Sequence, residues 1–178
     1  GCWGCAWTGE LRWICASRLA SAACESEPEP ADGAGAAGGG VTAAGAAYCW
    51  GRNTYGQLGI GTTDSNSHRT PEAVSGGLTF ESVSNYYDHA CGVTAAGAAY
   101  CWGRGDSGRL GNGSTTNRST PTLVSGGHIW RSINLGRSHS CGVTTAGVAY
   151  CWGGNDYGEL GDGTTTNSTV PSKVGGNW

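Results

Sequence analysis

The chain has 178 residues and a net charge of −3, with 13% charged residues, 34 Gly, 9 Cys, 8 Trp, 7 Tyr and no Met. That balance gives no electrostatic reason to bind nucleic acid or an anionic membrane. No run of about 18 apolar residues is present to span a bilayer. Cysteines in regularly spaced pairs point to an oxidising compartment. Gly1 is not an initiator methionine, which reads as a processed, truncated or fragmentary chain.

In chain order, the first recognisable element is Cys2-Trp3-Gly4, followed by Gly9-Glu10-Leu11. The same CWG tripeptide opens at Cys49, Cys101 and Cys151, spaced by about 50 residues. Each of these three is followed by a matching glycine-rich stretch: RNTYGQLGIGTT, RGDSGRLGNGST and GNDYGELGDGTT. A proline then recurs at Pro71, Pro121 and Pro171, and an aromatic at Phe80, Trp130 and Trp178. The whole chain, 1–178, is therefore read as one repeat array, with units 2–48, 49–100, 101–150 and a partial 151–178. Residues 12–38 resemble nothing in the other units. A drifted or frameshifted segment ranks above a specialised insertion there.

Short runs of Val, Thr, Tyr and Trp broken by glycine predict strands and turns, hence an all-β chain. Thr94-Ala95-Ala96-Gly97-Ala98 fits a three-residue hairpin loop with Gly97 in the left-handed region. Counting outward from that loop, Cys91 faces Cys101 on a non-hydrogen-bonded pair, where Cα atoms approach to about 4.5 Å and a disulfide fits. The same count pairs Cys141 with Cys151. In the preceding copy Gly39 stands where the first cysteine should be, so Cys49 lacks a hairpin partner. Cys2, Cys5, Cys15, Cys24 and Cys49 are then five candidates for unpaired or interchain thiols, an odd number.

The unit reading H-x-C-G-V-T, then Y-C-W-G, then Y-G-Q-L-G and a later proline resembles the regulator of chromosome condensation repeat. The resemblance covers 39–178, covers 1–11 in part, and leaves out 12–38. It implies β-propeller blades of four strands in rings that usually hold seven. The cysteine-stapled form is similar to secreted or cell-surface bacterial members and to β-lactamase inhibitory protein II. Four incomplete units do not close such a ring, so the expectation is an incomplete propeller, part of a longer protein or completed by other copies. The family shares a scaffold and not a chemistry, so function does not follow from it.

Most of the chemistry-bearing residues read as structure. His89 and His139 recur as structural hydrogen-bonding groups, and His68 and His128 read as surface residues. Asn112 and Asp162 lie in turn sequences that lack the terminal bidentate carboxylate of a calcium loop. Arg104-Gly105-Asp106 spells a cell-adhesion tripeptide in a loop that varies freely between units. Trp50, Trp102, Trp152, Tyr55 and Tyr157 read as blade packing ahead of a sugar-binding surface. Positions that differ between units are better contact candidates: Asn85, Tyr86, Tyr87 and Asp88, and Arg137 in the next unit.

No nucleophile, base and orienting group can be assembled, so no catalytic residue, metal site or cofactor is expected. The function expected is a non-enzymatic extracellular or cell-surface module. It would bind copies of itself through open terminal blades, another protein or a glycan, with no nucleic acid and no membrane span. A fragment of a soluble binding or inhibitory propeller is the alternative. A guanine-nucleotide exchange factor ranks below both, because the acidic balance and paired cysteines argue against it.

Overall fold

The computed structural model describes residues 37–176. Cys2, Cys5, Cys15 and Cys24, the first CWG and most of the divergent 12–38 segment lie outside them. The described residues form three antiparallel sheets placed side by side. The first holds β1 (Gly38–Val41), β2 (Ala47–Arg52) and β3 (Ser67–Ala73). The second holds β4 (Phe80–Tyr86), β5 (His89–Thr94), β6 (Ala99–Gly103) and β7 (Arg118–Leu123), in that spatial order. The third repeats it with β8 (Trp130–Leu135), β9 (His139–Thr144), β10 (Ala149–Gly153) and β11 (Ser168–Lys173). One 3-10 turn, Asp106–Gly108, interrupts the strands.

Sequence units and sheets are out of phase. Cys49, Cys101 and Cys151 fall within β2, β6 and β10, so each unit supplies the last strands of one sheet and the first strands of the next. The repeated proline falls in β3, β7 and β11, the outermost strand each time. Proline has no N–H to give a further strand, so it belongs at an edge and blunts it against stray pairing. The inner strands carry the packing. Phe80 and Val83 both point inward although they are three residues apart, as do Trp130 and Ile133. A regular strand would place such residues on opposite faces, and a register irregularity between Phe80 and Ser82, repeated between Trp130 and Ser132, absorbs the extra residue.

The core lies between the sheets. One cluster joins Cys49 and Leu58 to Phe80, Val83, Ala90 and Trp102, and the other joins Leu110 and Val124 to Trp130, Ile133 and Trp152. The indole of Trp102 donates to the Gln57 carbonyl at 3.0 Å, and that of Trp152 to the Arg109 carbonyl at 3.0 Å. Each indole lies on a glycine of the preceding sheet's loop, Gly59 or Gly111, where an added Cβ would meet the ring nitrogen at 2.7 and 2.6 Å. Both glycines also have positive φ, 70° and 67°, so sterics and backbone exclude other residues together.

The hairpin register is the one counted from the sequence. Cys91 pairs with Cys101 and Cys141 with Cys151, each with Cα atoms 4.1 Å apart, and both pairs are disulfide-bonded. The Thr94 N–H donates to the Ala98 carbonyl at 2.9 Å, and Gly97 takes φ 76°. Gly39 pairs with Cys49.

Candidate functional site

Turns at one end of the sheets surround a cleft of about 390 Å³ lined by Arg52, Tyr55, Tyr87, Asp88, Arg104, Arg109, Arg137 and Ser138. Four of the chain's 10 basic residues converge here, although the chain as a whole is acidic. Tyr87 and Asp88 form the two-residue turn between β4 and β5, and Arg137 and Ser138 belong to the corresponding turn between β8 and β9. Tyr87 has φ 52°, a region an aromatic residue rarely adopts, so the tight turn holds its ring in place at some expense.

Arg104 and Arg109 are already engaged. Arg104 pairs with Asp88 at 3.1 Å and with Asp106 at 2.9 Å, and its guanidinium lies 4.9 Å from the centre of the Tyr55 ring. Arg109 pairs with Asp106 at 2.8 Å and donates to the Arg137 carbonyl at 2.8 Å. Burial pulls the Arg109 pKa below the ordinary arginine value while Asp106 works to restore it; the guanidinium remains charged. Its backbone is fixed from beneath, because the Arg109 carbonyl accepts from both Ser140 Oγ at 2.8 Å and the Trp152 indole. Ser140 Oγ in turn lies 3.1 Å from His89 Nε2, within hydrogen-bond distance. His89 is fully buried, and that burial, with the nearby Arg109 and His139 charges, pushes its pKa down to about 3. It is a neutral strut beneath the cleft.

Arg52 and Arg137 differ from the other two. Arg52 donates to Thr54 Oγ1 at 2.9 Å and leans on Tyr55, and Arg137 is exposed. Among the described residues, no carboxylate lies within ion-pair distance of either. Four guanidiniums thus face two carboxylates, Asp88 and Asp106. Among the lining residues no base stands beside a nucleophile; the cleft is a set of donors and aromatic faces suited to holding a ligand.

Three of the contact candidates read from the sequence line the cleft: Tyr87, Asp88 and Arg137. Tyr86 packs beside Tyr87, ring centres 5.4 Å apart. Asn85 is elsewhere: strand alternation puts it on the face of Val83, against the first sheet, and its amide donates to Cys49 Sγ at 3.6 Å. Cys49 itself is fully buried, and burial pushes its thiol up to about 12 despite the Asn85 hydrogen bond. A thiol so placed does not reach another chain, which removes Cys49 from the interchain candidates and leaves it unpaired.

The adhesion tripeptide is folded on itself, its Arg104 and Asp106 paired to each other, and does not project a free acid and base. Asn112 and Asp162 accept from Ser114 and Thr164 backbone N–H groups at 3.1 and 2.9 Å, which is turn chemistry. His68 is held between Asp64 and Glu72, and His128 stacks on Tyr150 with ring centres 4.2 Å apart; both are half-buried at the surface and engaged with neighbours. Trp102 and Trp152 are core, whereas Tyr157 is 93% exposed. Sequence reasoning passed over Arg52 and Arg109. The signal for Arg109 was available: its slot reads Gln57 and Glu159 in the neighbouring units.

Antiparallel sheets of three or four described strands, stacked side by side and joined by indole-to-loop docking, define blades of a β-propeller. The chain belongs to the regulator of chromosome condensation family: the profile described as "Regulator of chromosome condensation (RCC1) repeat" matches residues 44–94, 96–143 and 146–177. It is 39% identical over 66 residues to the human probable E3 ubiquitin-protein ligase HERC4, covering 36% of this chain and 6% of that one. It is 37% identical over 79 residues to the ultraviolet-B receptor UVR8 of Arabidopsis thaliana, covering 43% and 18%. Among solved structures it resembles Prp20p of Saccharomyces cerevisiae, studied for its binding to Gsp1p and histones, with TM-score 0.70 and 22% identity over 79% of this chain and 36% of that one. It also resembles human WBSCR16, with TM-score 0.69 and 23% identity over 78% and 35%. These likenesses establish the fold. The chain spans only a small part of each curated relative.

Proposed function

We propose that the chain is a non-enzymatic, extracellular or cell-surface propeller module that binds proteins through the turn end of its blades and associates with copies of itself. One observation carries the binding role. The Trp, Leu and Gly positions that repeat between units build the blade contacts, whereas five of the eight cleft-lining residues fall at positions that vary, 87/137, 88/138 and 57/109/159. A scaffold that holds its packing and varies its turn residues is the pattern of a recognition surface. Two hairpin disulfides support an oxidising compartment.

The test is cross-linking of the intact chain on the surface and in the medium of the producing cells, followed by mass spectrometry. It compares the natural chain with Tyr87→Ala/Arg137→Ala. A protein partner recovered by the first and lost by the second is expected. Equal recovery by both, or turnover of a substrate abolished by a single cleft substitution, overturns the reading.

A further inference from the structure

The cleft has a surplus of positive charge with a definite location. Arg104 and Arg109 are neutralised by Asp88 and Asp106, which fix their geometry. Arg52 and Arg137 flank the same cleft with no carboxylate of the described residues in ion-pair range, and Tyr55 and Tyr87 line it between them. A guanidinium presents a planar fork of donors that matches a carboxylate two bonds at a time.

Resting on the protein-binding reading above, we infer that this cleft takes an acidic segment of a partner protein. Glutamate or aspartate side chains pair with Arg52 and Arg137, and apolar parts of the segment pack beside Tyr87 at the cleft wall. Shape favours a peptide over a duplex nucleic acid. A concavity of about 390 Å³ accepts side chains and not the body of a duplex. Asp88 adds discrimination, since it stands beside the incoming acids and is tolerable only while Arg104 holds it.

The experiment is fluorescence anisotropy of the full chain at low ionic strength, with a labelled hexaglutamate peptide as probe. Hexalysine, a Gly-Ser peptide and a six-nucleotide oligothymidylate of similar length serve as comparators. Hexaglutamate should bind, weaken as salt rises, and bind at least about tenfold more weakly to Arg137→Glu. Arg137 is exposed and its side chain has no partner to lose among the described residues, so this variant keeps its fold; circular dichroism and intact disulfides verify it. Arg137→Lys should fall between the two, keeping the charge and losing the fork. Equal binding by the natural chain and Arg137→Glu overturns the inference, as does oligothymidylate binding of the same strength and the same Arg137 dependence. A blank with hexaglutamate, alongside a cross-linked partner that still depends on the cleft, overturns the acidic segment and leaves the protein-binding role standing.

Discussion

Gly39 sits directly opposite Cys49 in the first hairpin, at the register position where the next two hairpins carry a cysteine pair. Asn85 from the neighbouring sheet occupies the space: a Cβ built on Gly39 would lie 3.0 Å from the Asn85 amide nitrogen and 3.1 Å from Cys49 Sγ. The first hairpin has therefore exchanged a covalent staple for a side-chain contact between sheets.

Gly39→Cys should restore the staple. The obstructing atoms are the far end of one flexible side chain, which can move. The variant should form a third disulfide under oxidising conditions and gain stability near the low end of about 2–4 kcal/mol, because the closed loop is short. Non-reducing peptide mapping and a denaturation midpoint check it. Two free thiols in this hairpin after air oxidation would show that Asn85 does not yield.

Cys49 in the natural chain should be chemically silent. With its pKa at about 12 and no exposure, almost no thiolate is present at neutral pH. Iodoacetamide should modify Cys49 only after denaturant is added, and mass spectrometry of the peptide spanning it reads the result. Labelling in the folded chain at the rate of a free cysteine would mean that the first two sheets separate readily.

His89 predicts acid sensitivity. Its folded pKa of about 3 lies below the ordinary 6.5, so below pH 6.5 the unfolded chain takes up a proton that the folded chain refuses. The stability it contributes is complete above pH 6.5 and is lost as pH falls towards 3, on the order of a few kcal/mol at about 1.4 kcal/mol per unit. His89→Gln keeps an uncharged hydrogen-bonding group beside Ser140 and removes the titration. Urea denaturation at pH 7 and pH 4.5 should show a smaller pH-dependent loss in this variant than in the natural chain. Equal losses would place the acid sensitivity in other groups.

The hairpins and the sites among them were legible to different degrees. Cys91 and Cys101 could be paired by counting, because a strand's side-chain period is two and a three-residue loop sets the register. The indole docking of Trp102 and Trp152 was legible only as "packing": which carbonyl each reaches depends on how one sheet leans on the next. The cleft was less visible still, since Arg52, Arg104, Arg109 and Arg137 come from segments of three different sheets. Asn85 was misplaced for a related reason. It varies between units as a contact residue does, but its variation answers to Cys49 across the sheet interface.

Trp152 ties the blades together and holds Arg109 at once. Trp152→Ala should destabilise the chain by about 3–5 kcal/mol through the lost core volume. Trp152→Phe should lose less, mainly the donor to Arg109, on the order of 1 kcal/mol. Because the Arg109 carbonyl would then depend on Ser140 alone, Trp152→Phe should also weaken hexaglutamate binding while the fold persists. An unchanged affinity would show that Ser140 suffices.

The last prediction concerns association between copies. Gly59 and Gly111 are each covered by the indole of the following blade, and Tyr55 carries Arg104 of the following blade over its ring at 4.9 Å. Gly158 and Gly161 have the same left-handed backbone, at φ 81° and 61°, so the third loop is already shaped to receive such a blade. Among the described residues no indole lies on Gly161, and Tyr157, at the slot of Tyr55, is 93% exposed. If a second copy docks there, sedimentation of the full chain should show mass rising with concentration in the micromolar range. Tyr157→Asp should then weaken association at least about tenfold, because it puts an unpaired charge into the contact. The ring is 93% exposed and touches almost nothing among the described residues, so the substitution leaves their packing intact. A monodisperse, cooperatively unfolding monomer at these concentrations, or an oligomer indifferent to Tyr157→Asp, would count against docking through this face.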